Sequence, residues 1–144
     1  MKIGRRLAFD YGQVRIGVAV SDLSGLIASP LSTLLSQDAA LPEQLLSLIE
    51  EYEPIYLVVG EPKHLSGASN PSFFAAHAFG DLLKTLTEIP VHFIDERMST
   101  MNAAKKLRGA GHDAKSSKKL IDAVAATEIL ESALERERRA GYLD

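Results

Sequence analysis

Three apolar runs of this 144-residue chain end on, or contain, acids where a buried segment would not be expected to tolerate charge. Asp10 closes Leu7-Ala8-Phe9, Asp95 and Glu96 close Val91-His92-Phe93-Ile94, and Asp122 interrupts Leu120-Ile121-Asp122-Ala123-Val124. A charge at the end of a buried strand is costly unless a cation, a hydrogen-bond network or a metal answers it. Three acids at one edge would repel one another unless a divalent cation lay between them. Mg²⁺ suits that case, because it takes carboxylate oxygens in octahedral geometry and favours phosphate-bearing substrates. Two such ions about 4 Å apart activate water and stabilise the leaving oxygen in phosphodiester cleavage. Between Arg97 and Ile121 lie seven cations, Lys118 and Lys119 among them, against the single anion Asp113. Cations flanking an acidic metal site hold the phosphate backbone that the acids alone would repel.

Taken singly, each feature has another use. Asp10 could make an Asx-turn with Gly12, Asp95 or Glu96 could cap a helix starting near Ser99, and Asp122 could complement a helix N-terminal dipole. The basic run could be a solvated helix face balanced by the acidic segment between Glu43 and Glu53.

The acids can meet only if the elements bring them together. Arg6 to Asp10, Arg15 to Ser21 and Leu26 to Leu35 are short apolar runs broken by Tyr11-Gly12-Gln13 and Asp22-Leu23-Ser24-Gly25, which read as hairpin turns. After Pro42, Leu45, Leu46, Leu48, Ile49 and Tyr52 recur at helical spacing up to Pro54. Ile55 to Gly60 reads as a strand covered on both faces. A loop then leads to Asn70 as N-cap and Pro71 as first residue of a second helix, which continues to Ile89-Pro90. Val91 to Asp95 forms another buried strand. A third helix is expected from Ser99 or Thr100 to Gly109 or Gly111, and a last one from Ser116 or Ser117 through Arg138, with Glu131 to Arg139 exposed and frayed. The order βββαβαβαα predicts an α/β fold: a mixed five-stranded sheet, three strands in an antiparallel meander and two parallel, with helices on its faces. Parallel strands beside a central first strand would carry the acids to one edge. In the last helix, Asp122 shares a stripe with Ala125, Ala126, Ile129 and Ala133, small enough for close approach to the sheet.

Bulk properties narrow the classes. The length fits one domain spanning residues 1–144. Without cysteine, disulfides and thiolate metal sites are excluded. The start shows no signal-peptide core and no apolar run reaches membrane-spanning length, so a cytoplasmic protein with no membrane partner is expected. Phe9, Phe73, Phe74, Phe79 and Phe93 read as core, and His77 and His92 as partly buried structural positions.

The blocks FDYGQVRIGVAVSD, VVGEPKHLSG, DERMST and IDAVAATEIL together resemble the YqgF (RuvX) family of Holliday junction resolvase-like proteins and pre-16S rRNA nucleases. The resemblance spans most of the chain in the family's order. It implies a ribonuclease H-like fold and a Mg²⁺- or Mn²⁺-dependent nuclease acting on structured nucleic acid, as a monomer or homodimer. It also implies that Asp10, Glu96 and Asp122 are the catalytic, metal-binding acids. Arg15 and Arg97 match family arginines, expected to contact phosphate or to orient the acids. Glu61 departs from the family's usual aliphatic residue before Pro62, and is expected either as an extra acid or as a solvated loop residue; Asp95 could join the acids or orient a neighbour. The loop from Lys63 to Asn70, with Ser66, offers a phosphate cradle, joined by Lys118 and Lys119 from the basic segment.

Two other classes fit parts of the pattern. Asp10-x-Gly12 with Gly17 resembles the first phosphate loop of actin- and hexokinase-like phosphotransferases, although those clasp ATP between two such domains. A non-catalytic RNA- or protein-binding module would fit the fold but gives no reason to gather carboxylates.

Overall fold

The computed structural model describes residues 2–62, 71–95, 114–141 and 143, with backbone alone for 114–120. Five strands and three helices follow in order: β1 (Arg6–Tyr11), β2 (Arg15–Ser21), β3 (Ala28–Leu35), α1 (Leu41–Tyr52), β4 (Tyr56–Glu61), α2 (Pro71–Leu86), β5 (Val91–Asp95) and α3 (Ala114–Ala140). The expected third helix between Ser99 and Gly111 lies outside the described residues, as does Asn70.

The strands form one sheet in the order β3-β2-β1-β4-β5. β1 pairs antiparallel with β2 and parallel with β4, and β4 pairs parallel with β5. β1 is thus the pivot between a meander and a parallel half. Its alternation sorts the two faces. Leu7 and Phe9, with Ile16, Val18, Leu57 and Val59, pack against Leu41, Leu45 and Ile49 of α1 and Ala76, Phe79 and Leu83 of α2. Ala8, with Ala19, Tyr56, Val58 and Ile94, packs on the other face against Ala126, Ile129, Leu130, Ala133 and Leu134 of α3. β4 is apolar and buried from Tyr56 to Gly60 because both of its faces are covered there. Pro30 sits opposite Ala19 on the edge strand, where the pairing register slips and no ladder N–H is demanded of it.

Two expectations are corrected. The end of α3 is not a frayed, solvated tail: Ala133, Leu134 and Glu137 are buried, because this stretch crosses the sheet and turns an apolar stripe onto it. Charge concealed that stripe, since Glu and Arg fill the outward positions between buried residues. Phe74 is not core but 57% exposed, lying off the α2 stripe formed by Ala76, Phe79, Gly80 and Leu83.

Candidate active site

The parallel pairing of β1, β4 and β5 brings their C-terminal ends to one edge, and β2 starts at that edge because it runs the opposite way. Asp10 therefore lies at the rim, half-buried, on the face of β1 that Ala8 presents to α3. Its direct partner across the ladder is Gly17. Opposed residues of an antiparallel pair lie about 5 Å apart at Cα.

Gly17 explains how a distant helix reaches this corner. A Cβ at position 17 would overlap the backbone carbonyl of Asp122, so α3 rests on the bare glycine. Glycine inside an apolar strand marks such a close backbone approach. Asp10 and Asp122 thereby share one corner of the α3 face, the first as Gly17's ladder partner and the second directly above it. Arg15 starts β2 beside them. Its Nε donates to Oδ2 of Asp122 at 3.0 Å, with both side chains 27% exposed. The corner thus holds two carboxylates and a guanidinium, each reachable from water.

A family model described as RuvX, Holliday junction resolvase, matches residues 4–136. The chain belongs to the RuvX family. A Streptomyces avermitilis protein named "Putative pre-16S rRNA nuclease" is 43% identical over 143 residues, covering 98% of this chain and 92% of that relative. A Clavibacter michiganensis protein of the same name is 44% identical, with 98% and 89% covered. Among solved structures, Thermus thermophilus RuvC in complex with a Holliday junction aligns with a TM-score of 0.58 at 16% identity, covering 97% of this chain and 98% of that one. A second Thermus thermophilus RuvC structure gives 0.55 at 20% identity, with the same coverage. The fold of this RuvX chain is ribonuclease H-like.

The remaining expected site residues of the RuvX chain divide by face and by location. Glu61 is the last residue of β4, not a loop residue turned to solvent, and its carboxylate lies 2.6 Å from Nε2 of His77 on α2. That puts it on the α2 face, opposite the face where Asp122 rests on Gly17. Asp95 is Glu61's ladder partner and shares a strand face with Phe93, which packs toward α1 and α2. The structure brings together Asp10, Asp122 and Arg15, and separates Glu61 from Asp122. Glu96, Arg97, Lys63 and Ser66 lie outside the described residues, as do the side chains of Lys118 and Lys119. Among the described residues, no three acids or histidines meet closely enough to hold a metal.

His77, expected at a partly buried structural position, packs beside Glu61 on the α2 face. Its ring stacks on Phe93 with centroids 4.1 Å apart and tilts against Phe73 at 4.4 Å. The signal was a histidine on the stripe of α2 that faces the strand ends, but only the fold pairs it with Glu61.

Asp10 and Asp122 offer hard carboxylate oxygens and no softer donor, a set that matches Mg²⁺ or Mn²⁺. Arg15 already sets a cation against Asp122, evidence that the corner draws positive charge. The donor set therefore fits a divalent ion, with Glu96 as the third acid implied by the family.

Proposed function

We propose that this chain is a metal-dependent nuclease that hydrolyses phosphodiester bonds of structured RNA, with the 5′ end of pre-16S rRNA as its substrate. The single observation that carries the reading is the Gly17 contact, which sets Asp122 over the ladder partner of Asp10. The substrate follows the relatives that share 43–44% of their residues over nearly the full chain. A Holliday junction is the second reading, favoured by the family model's description and by the RuvC fold, but that likeness rests on 16% identity.

When bound, Mg²⁺ or Mn²⁺, as a pair of ions, supplies Lewis-acid stabilisation of the charge that builds on the phosphodiester. This chain's own residues do the rest. Asp10, Glu96 and Asp122 gather the carboxylates that hold the ions, and Arg15 pairs with Asp122 beside them. Glu61 and Asp95, on the other face, act through the packing of the strand ends rather than on the phosphodiester. Arg97, Lys63, Ser66, Lys118 and Lys119 hold phosphates on either side of the cleaved bond, where the acids alone would repel them. The 144 residues work as one nuclease domain in the cytoplasm, as a monomer or homodimer. Among the described residues no helix is long and apolar enough to cross a membrane.

The test offers a precursor rRNA fragment and a four-way DNA junction in parallel, with Mg²⁺, Mn²⁺ or no metal. Wild type should cut the rRNA only with metal, and Asp10→Asn and Asp122→Asn should lose at least 100-fold of the rate while keeping the wild-type melting profile. Equal rates for wild type and Asp10→Asn refute the nuclease reading. Cleavage of the junction alone transfers it to DNA.

A further inference from the structure

Arg15 is joined to one of the candidate acids, its Nε donating to Oδ2 of Asp122. We propose that Arg15 is the resident counter-cation of Asp122, which a divalent ion must displace, so that the arginine weakens metal binding instead of strengthening it. The inference rests on the reading of Asp10 and Asp122 as metal ligands.

Two opposing effects meet at the Asp122 carboxylate. The Nε–H of Arg15 takes up a lone pair on Oδ2 of Asp122 that a metal would otherwise use. A guanidinium keeps its charge at every working pH, so it cannot relieve the conflict by losing a proton. It must move away or repel the incoming ion. A unit charge about 5 Å from a divalent cation in a water-like medium lowers its affinity roughly tenfold. Against this, Arg15 orders the carboxylate in advance. That benefit is small, because the backbone beneath Asp122 is already fixed on Gly17 and a short side chain has few rotamers to lose. Repulsion outweighs ordering.

The pair is also weak enough to break. Both side chains are partly in water, and ion pairs in that setting add little stability. Before metal arrives, the arginine reduces the excess negative charge of the corner. Once displaced, its planar fork of donors is free at the same edge, in a geometry that matches phosphate oxygens. One residue thus serves the acid first and the nucleic acid second.

The test is a Mn²⁺ titration of the full chain without nucleic acid, followed by loss of the free-ion electron paramagnetic resonance signal. Wild type is compared with Arg15→Gln, Arg15→Lys, Asp10→Asn and Asp122→Asn, each checked by thermal melting. Arg15→Gln should bind Mn²⁺ about tenfold more tightly, Arg15→Lys should stay within about threefold of wild type, and the two asparagine variants should bind more weakly. In wild type, saturating Mg²⁺ should accelerate solvent exchange of the Arg15 Nε–H seen by NMR, a readout that does not depend on any variant folding. If Arg15→Gln binds no more tightly than wild type, or the Nε–H is unmoved by Mg²⁺, the counter-cation role is wrong even where the asparagine variants confirm the metal site. If neither asparagine variant alters Mn²⁺ binding, the metal reading fails and this inference falls with it.

Discussion

Tyr56 donates its hydroxyl proton to Oε1 of Glu137 at 2.8 Å, while Oε2 of the same carboxylate accepts from Arg6 at 2.9 Å. Burial, reinforced by the neighbouring Glu137 carboxylate, raises the Tyr56 phenol above its ordinary value of 10.0. A group that holds its proton more tightly when folded stabilises the native state fully below its unfolded pKa, and that stability is lost as pH rises past it. Tyr56→Phe should therefore cost about 1–2 kcal/mol at pH 7, where Glu137 loses a buried donor. It should also flatten the fall in melting temperature between pH 10 and 12 relative to wild type. Melts across that range check both signs. This cluster was not legible in the sequence: Glu137 stands in a run of charges, and nothing local distinguishes it from the exposed Glu135 two residues earlier.

At the scale of elements, the site depends on how closely α3 lies on β2. Gly17→Ala puts a methyl group against the Asp122 carbonyl, and backbone cannot fold away as a flexible side chain would. The variant should lose about 1–3 kcal/mol by overpacking. It should also lose at least tenfold in Mn²⁺ affinity, because α3 must lift and carry Asp122 off the corner; melting and metal titration measure the two effects. Much of this level could be read in advance. The short apolar runs Arg6 to Asp10 and Ile55 to Gly60 announced their strands, and the alanine stripe after Asp122 announced a close-packed helix. What the stripe could not say was where on the sheet it would land. That depended on one glycine whose meaning is visible only with the helix in place. Faces were equally hidden at Glu61, where a shift of one residue along a strand would exchange His77 for the α3 side.

For the molecule as a whole, the Arg6–Glu137 pair ties residues 131 positions apart, joining the start of β1 to the last turns of α3. Arg6 is fully buried, also donating to the carbonyls of Gly4 and Lys2. Removing the charge of its partner leaves a cation stranded in the interior. Glu137→Gln should therefore cost about 3–5 kcal/mol, measured by urea unfolding, although it lies at the far end of the sheet from Asp10.

The late arrival of α3 also has a temporal meaning. Arg15 and Asp122 are 107 positions apart, so at ordinary elongation rates the ribosome needs roughly 5 to 20 s to add the second acid after the strand that will receive it. Throughout that interval the nascent chain owns only half of the corner that Asp10 and Asp122 share. The corner closes only once α3 has been added and can settle on Gly17.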